Sequence, residues 1–207
     1  KKFIPHQKNK AVRLEFKDTE QTHIAMGFHA FGRRSERKYA QNLLNIVLGG
    51  NMSSRLFEEL REKRGLCYDI STSTKKYDET GAFFIHAGTA NDKAEEALSL
   101  IIQELKSVKR DGITKDELMR AQEFYKGQLL LALEDTGSRM LLLGEKMASG
   151  EGVPDVKKII KLIDGVTVED VKDIALKIFK EGSMNMAVIG PKSFLKKMDT
   201  ERVMVLP

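Results

Sequence analysis

Two side chains that can bind a peptide, Arg61 and Tyr68, lie seven positions apart in the segment LGGNMSSRLFEELREKRGLCY, residues 48–68. Arginine carries a permanent charge and a planar fork of donors that suits carbonyl oxygens. A tyrosine hydroxyl can donate a hydrogen bond to an oxygen on which negative charge develops. Neither group hydrolyses a bond alone, so the pair predicts a site that holds a substrate while other residues perform the chemistry.

The same spacing also allows a purely structural interpretation. Arg61 could pair with Glu58 or another acidic residue one turn away on a solvated helix. Tyr68 could be an ordinary aromatic residue of a strand. Spacing alone leaves both interpretations open.

No complete catalytic group is evident elsewhere in the chain. No pair of the four histidines, His6, His23, His29 and His86, has the i, i+4 spacing of a zinc-binding His-Glu-x-x-His or His-x-x-Glu-His helix. The pair on one strand, His23 and His29, would be roughly 20 Å apart, which is too far to share a metal. Cys67 begins an apolar strand without a nearby histidine, which favours a buried packing role. We therefore expect no metal site in this chain.

The composition is that of a globular protein with a mild basic excess. The 207 residues include 35 basic and 30 acidic side chains, giving a net charge of +5. This excess permits anionic partners without requiring them, and no aromatic platform or motif predicts nucleic-acid binding. No apolar run approaches the roughly 18 residues of a membrane span. A single cysteine fits a reducing compartment, so we expect a cytoplasmic protein.

The densest basic cluster is formed by Arg33, Arg34, Arg37 and Lys38. Its position at a predicted helix N-terminus opposes the helix dipole, which predicts an anionic contact from within or outside the chain. A solvated basic surface is the default interpretation.

The elements that must position Arg61 and Tyr68 can be read from periodicity. Alternation predicts strands over residues 10–17, 21–31, 66–76, 81–89 and 184–189. In the second strand, Ile24, Met26 and Phe28 share one face, and small residues on the other face suggest close cover by a helix. The pair Gly49-Gly50 should end a helix that Ser35 caps.

Helical periodicity dominates the second half of the chain. Helices are predicted over residues 94–110, from a capping box at Thr114 to about 149, over 154–163, and from a second box at Thr167 to about 180. Gly137 and Gly144 are expected to break or kink the helical region that begins at Thr114. The fold class is α+β: an antiparallel sheet of about five to six strands with helices on one face. Residues 1–9 are predicted to be an N-terminal linker and 10–207 a single domain.

The segment 48–68 resembles the zinc-less half of the M16 peptidases, the pitrilysin, insulinase and mitochondrial-processing-peptidase family. The pattern GG-x-x-SSRL-F-x-x-LR-x-x-x-GL-x-Y carries the likeness, together with QTHIAMGFHA, TGAFFIHAGT, TKDELMRAQEFYKGQLLLALED and MNMAVIGP. The resemblance covers residues 10–191, and the missing initiator Met suggests a piece of a longer, bacterial two-domain protein.

The resemblance implies a division of labour between two homologous halves of a clamshell. The N-terminal half, in the same chain or a partner subunit, would bind zinc through His-x-x-Glu-His, and this half would bind the peptide substrate. Arg61 and Tyr68 would contact the substrate or the tetrahedral intermediate, and Tyr68 would contribute a transition-state hydrogen bond to the shared site. Ser53, Ser54 and Arg55 lie in the motif and are assigned to capping and packing.

These implications define the expected function. The parent protein would be a zinc metalloendopeptidase, and this chain alone would be inactive and hold no zinc. The alternative is a non-catalytic structural or partner subunit of an M16-like complex. A homodimer is left open.

Overall fold

Five strands form one sheet in the computed structural model, which describes residues 7–200 and 205–206. The strands are β1 (Ala11–Phe16), β2 (Gln21–Phe31), β3 (Cys67–Lys76), β4 (Thr80–Ala90) and β5 (Met184–Gly190). Their spatial order is β1-β5-β2-β4-β3. The predicted α+β class is confirmed, and the strand bounds differ from the predicted ones by one residue or less. The predicted N-terminal linker lies mostly outside the described residues.

The sheet is mixed, so the prediction of a purely antiparallel sheet is wrong in one respect. The last strand, β5, lies between β1 and β2, is antiparallel to β2 and therefore runs parallel to β1. The other pairs, β2 with β4 and β4 with β3, are antiparallel. Local hairpin signals at the β1–β2 turn cannot reveal that a strand from the far end of the chain separates these two neighbours.

Seven α-helices, a π-helical segment and two short 3₁₀ segments, Asn91–Lys93 and Glu181–Ser183, complete the described fold. The α-helices are α1 (Lys38–Gly49), α2 (Ala94–Asp111), α3 (Lys115–Glu134), α4 (Thr136–Ala148), α5 (Val156–Asp164), α6 (Val168–Ile178) and α7 (Lys192–Leu195), and the π-helical segment is Phe57–Glu62. No helix that the structure describes combines the length and the hydrophobicity that a membrane-crossing segment requires.

The core lies between one face of the sheet and helices α1, α2 and α6. Ile24, Met26 and Phe28 of β2 are buried there. Phe28 and Phe83 both pack edge-on against Phe179, with ring centroids 5.2 and 5.3 Å apart. These contacts add to the burial of large apolar rings, which makes this cluster a strong stabilising feature.

The opposite face of the sheet carries the small side chains that suggested cover by a helix. In the part of the chain that the structure describes, no helix lies on this face: His23 and Ala25 are exposed, and the covered face is the other one. Within this chain the predicted placement of the helix layer is therefore wrong. The helices pack on the face that carries Ile24, Met26 and Phe28, because covering these longer apolar side chains removes more apolar area from water.

Side-chain caps set the N-termini of four helices, α3 to α6. The Thr114 and Thr167 capping boxes are both formed, as predicted. The predicted breaks at Gly137 and Gly144 are wrong, because the chain turns at Asp135, whose carboxylate accepts from the Ser138 amide at 2.6 Å and caps α4. Ser35 does not cap α1, which begins at Lys38; its hydroxyl accepts from the Arg37 amide in the preceding turn.

Candidate functional site

The π-helical segment Phe57–Glu62 presents Arg61 to solvent. Leu56, just before this segment, and Leu60 within it are buried in the core. Its wide turn is closed by a hydrogen bond from the Lys63 amide to the Glu58 carbonyl, 2.9 Å, which spans five residues. The Arg61 guanidinium carbon lies 4.9 Å from the centre of the Phe57 ring. This cation–π contact gives the exposed side chain a preferred direction.

A glycine turn joins this segment to strand β3. Gly65 adopts a φ of 59°, a left-handed conformation that other residues avoid. Its amide donates to the Arg61 carbonyl at 3.2 Å, and the Leu66 amide donates to the Leu60 carbonyl at 2.7 Å. The backbone at Arg61 is thus tied to the strand that carries Tyr68.

Tyr68 lies at an irregularity of β3, which is an edge strand of the sheet. Cys67 pairs with Thr89 and Asp69 pairs with Gly88, so Tyr68 is the extra residue of a β-bulge. Bulges turn a side chain out of the regular alternation. Tyr68 is 63% exposed, which excludes the interpretation of a packed strand aromatic.

Arg61 differs from the cations that flank the π-helical segment. Lys63 and Arg64 both contact Glu59, and Arg55 contacts Glu117. Within the described residues Arg61 has no ion-pair partner, although acidic residues precede and follow it. The structural interpretation of Arg61 as an intrahelical ion-pair partner therefore fails. The side chains of Arg61 and Tyr68 form no hydrogen bond with each other in this part of the chain, so both remain available to a third group.

An ion pair between Arg55 and Glu117 connects the residues just before the π-helical segment to α3, a contact that was not predicted from the sequence. The guanidinium contacts both carboxylate oxygens, at 2.5 and 2.7 Å, and donates to the Gly112 carbonyl at 3.2 Å. Burial disfavours the charged carboxylate, but the bonds from Arg55 and Thr114 outweigh it and lower the pKa of Glu117 to about 2. The pair joins the start of the π-helical segment to the start of α3.

The prediction that Ser53 or Ser54 caps the segment is wrong. The Ser54 hydroxyl donates to the Asn51 carbonyl at 2.6 Å, and the Asn51 side-chain oxygen accepts from the Ser53 amide at 2.9 Å. Asn51 therefore organises this turn, because its carboxamide reaches an amide two residues on, a typical Asx turn. The packing role assigned to Arg55 takes the form of the pair with Glu117.

A polar cluster lies near Tyr68 on the uncovered sheet face. His86 Nδ1 is 3.1 Å from Asp69 Oδ2, and the His86 and His23 rings stack with centroids 5.8 Å apart. His23 and His86 therefore lie on the sheet face that no described helix covers. Cys67 is buried, and burial raises the pKa of its thiol to about 11. A thiol with that pKa is a poor nucleophile at neutral pH, which fits the predicted packing role.

No side-chain cluster suited to a metal ion occurs among the described residues.

Members of the basic cluster form ion pairs with acidic residues of the same chain. Arg33 contacts Asp78 at 3.3 Å and Glu145 at 3.2 Å, and Lys38 contacts Glu151 at 3.6 Å. The anionic contact predicted for this cluster is thus internal.

The arrangement is that of an α+β domain with an exposed cation and an exposed phenol close together along the chain and, among the residues that the structure describes, no metal-binding cluster. Residues 1–125 match the model of the peptidase M16 inactive domain. An uncharacterized zinc protease of Streptomyces coelicolor is 37% identical over 181 residues, which are 87% of this chain and 39% of that protein. The uncharacterized zinc protease YmxG of Bacillus subtilis is 37% identical over 182 residues, 84% of this chain and 42% of YmxG.

Two solved structures show the same fold. A protease from Helicobacter pylori has a TM-score of 0.83 and 22% identity, covering 90% of this chain and 45% of that one. The peptidase M16 inactive domain from Pseudomonas fluorescens has a TM-score of 0.80 and 24% identity, covering 91% and 45%. The chain belongs to the M16 peptidase family, as a domain of its inactive type. It spans about two fifths of the length of the curated relatives quoted.

Proposed function

We propose that this chain is the substrate-binding half of a zinc-dependent endopeptidase whose metal is held by a homologous N-terminal half. In this proposal Arg61 and Tyr68 form one wall of a shared active site and contact a peptide held by the other half. The relatives named as zinc proteases support the peptidase class, and their greater length supports a second half.

One observation carries the site assignment. Arg61 has no ion pair in the described chain, while its neighbours Arg55, Lys63 and Arg64 all have acidic partners. An exposed arginine that is fixed by a ring contact but lacks a carboxylate is ready to bind an oxygen from outside. Tyr68, turned outward by its bulge, offers a donor close to it along the chain.

The chemistry of the two side chains fits complementary tasks. Peptide-bond cleavage passes through a tetrahedral intermediate, and the carbonyl oxygen gains negative charge on the way. A hydrogen bond from the Tyr68 hydroxyl to that oxygen would be stronger in the transition state than in the bound substrate. The Arg61 fork would hold substrate carbonyl groups before and during the reaction.

Zinc belongs to the other half in this proposal. The described residues of this chain contain no group of ligands that fits the metal, so no step is assigned to zinc here. The proposed role of this chain is to position the substrate. The single cysteine supports our further proposal of a cytoplasmic location.

The test is peptide hydrolysis by the full-length polypeptide that contains this chain. We expect Tyr68→Phe to lower kcat by about 10²-fold, as removal of an oxyanion donor does. Arg61→Ala should lower kcat/KM, mainly through KM, and Arg61→Lys should restore only part of the loss. Tyr77→Phe and Arg64→Ala are matched controls, since Tyr77 is also exposed and Arg64 is an exposed arginine in the turn just after the π-helical segment.

Unchanged turnover in the Tyr68→Phe and Arg61→Ala variants would overturn the site assignment and favour a structural subunit. A second measurement addresses the division of labour. The chain of residues 1–207, supplied with zinc and an unstructured peptide, should show no turnover. Robust hydrolysis by this chain alone would contradict the proposal.

A further inference from the structure

A side-chain connection beside Tyr68 crosses three neighbouring strands. His86 Nδ1 of β4 lies 3.1 Å from Asp69 Oδ2 of β3. The His86 ring also stacks on the ring of His23 in β2, with centroids 5.8 Å apart and planes inclined by 26°. We refer to Asp69, His86 and His23 as the polar cluster. Because none of the three belongs to the buried core, core packing does not explain this connection.

Tyr68 and Asp69 project from the same face of the sheet. In β3 the side chains of Cys67 and Ile70 are buried on the core side, and the two residues between them are both exposed. A bulge has this consequence, because it places two successive residues opposite a single residue of the partner strand. The direction of the Tyr68 side chain therefore depends on the backbone that it shares with Asp69.

The bulge is also the least supported point of β3. This strand lies at the edge of the sheet, and its regular pairing with β4 is interrupted between Cys67 and Asp69. The ladder of backbone hydrogen bonds is disrupted at such a point. A side-chain contact therefore has more influence on the direction of Tyr68 here than it would have in a regular strand.

The register explains why His86 reaches Asp69. Asp69 pairs with Gly88, which has no side chain, so its carboxylate contacts the diagonal neighbour His86 instead. An ionised carboxylate only accepts hydrogen bonds, so Nδ1 of His86 is the donor. Gly88 also pairs with His23, and a Cβ at Gly88 would lie 3.6 Å from two atoms of the His23 ring. The glycine thus leaves room for the His23 ring beside His86.

We propose that the polar cluster holds the bulge at Tyr68 and so directs the Tyr68 hydroxyl towards the scissile carbonyl group. His86 and Asp69 are then positioning residues for peptide cleavage, and neither contacts the substrate. Stacking on His23 limits the movement of the His86 ring, and the hydrogen bond to Asp69 transmits this restriction to β3. The inference rests on the proposed function for the task of Tyr68.

The first experiment is peptide hydrolysis by the full-length polypeptide. A residue that positions Tyr68 acts on the transition state, so His86→Ala and Asp69→Ala should each lower kcat about fivefold, as the loss of one hydrogen bond does, and leave KM within about twofold. His86→Asn should recover most of the loss, because its carboxamide nitrogen can replace Nδ1 as the donor. Ser73→Ala is the matched control, since Ser73 is also exposed on β3 but lies outside the cluster, and it should leave kcat unchanged.

A double-mutant cycle with Tyr68→Phe tests whether His86 acts through the tyrosine. If it does, His86→Ala should not lower kcat further in the Tyr68→Phe background. Effects of the two substitutions that multiply would show that His86 acts independently of Tyr68. A change mainly in KM would show that His86 contacts the substrate. Either outcome would overturn the proposal, as would an unchanged kcat in both His86→Ala and Asp69→Ala.

A structural measurement separates this inference from the proposed function. In full-length protein with isotope-labelled tyrosine, the NMR signal that disappears in Tyr68→Phe belongs to Tyr68. We expect His86→Ala to shift or broaden this signal and Ser73→Ala to leave it in place. An unchanged signal in His86→Ala would overturn the positioning role even if Tyr68→Phe lowers kcat. A displaced signal would support the hold on the bulge even if Tyr68→Phe leaves kcat unchanged, an outcome that contradicts the proposed function alone.

Discussion

The pair of Arg55 and Glu117 should set the stability of the segment that carries Arg61, and replacing Glu117 by glutamine tests this. The two side chains are only 19% and 16% exposed, so solvent screens their contact weakly. The fall of the Glu117 pKa from the usual ~4.3 to about 2 corresponds to about 3 kcal/mol of preference for the charged carboxylate in the folded protein. Since glutamine keeps part of the hydrogen bonding, we expect Glu117→Gln to lose about 2 kcal/mol at pH 7.

The sign of the pH dependence follows from the lowered pKa. A carboxylate whose pKa is lower in the folded state stabilises the protein fully above its unfolded pKa of ~4.3 and loses this contribution as pH falls towards about 2. More than half of the contribution of Glu117 should be lost by about pH 3. The difference between wild type and Glu117→Gln should therefore be constant from pH 7 to about 5.5 and shrink below this.

The assay is urea denaturation of residues 1–207 at several pH values, followed by far-UV circular dichroism. Glu123→Gln is the matched control, because Glu123 lies on the same helix and its contact with Lys126 is at the exposed surface. It should change the free energy of unfolding by less than about 0.5 kcal/mol at any pH. A loss at pH 7 that matches this control, or one that stays constant down to pH 3, would refute the assigned role of the pair.

Three further predictions concern the frame around the site. Phe179→Ala should lower the free energy of unfolding by about 3 to 5 kcal/mol, because it empties the centre of the aromatic cluster, whereas Phe194→Ala at the surface should cost far less. Gly65→Ala should lower the free energy of unfolding by about 1 kcal/mol, because Gly65 has a positive φ. Gly127→Ala should raise it by up to about 1 kcal/mol, because Gly127 lies within α3 with open space for a Cβ. Equal effects of the two substitutions in urea denaturation would contradict this. Cys67 should resist iodoacetamide at pH 8 until the protein unfolds, and rapid labelling of the native chain would contradict its burial and raised pKa.

The elements of the fold were predictable because their signals are local. Alternating apolar residues predict β2 over the residues that it occupies, 21–31. The Thr114 and Thr167 boxes predict two helix starts. The end of α3 was misplaced because Asp135, a capping residue, competes with Gly137 as the break, and glycine is only weakly unfavourable inside a helix.

What escaped prediction depends on contacts between distant parts of the chain. The insertion of β5 between β1 and β2 has no local signature. Arg55 and Glu117 are 62 positions apart. Glu117 already has a predictable role in the Thr114 capping box, so the sequence gives no reason to expect its ion pair with Arg55. The bulge at Tyr68 is visible only from the register of β3 with β4. The types of the two site residues were evident in the sequence, but their exposure and lack of internal partners required the structure.

Two irregularities of this domain lie at the proposed site and have a common explanation. The π-helical segment at Arg61 and the bulge at Tyr68 both interrupt regular hydrogen bonding, and such irregularities concentrate at functional sites. A bound substrate would give both a role, and this role can be separated from a role in the fold. Arg61→Ala should weaken substrate binding in the full-length polypeptide and change the free energy of unfolding by less than about 0.5 kcal/mol. If this substitution destabilised the domain by more than about 1 kcal/mol, Arg61 would be a structural residue and not part of the substrate site.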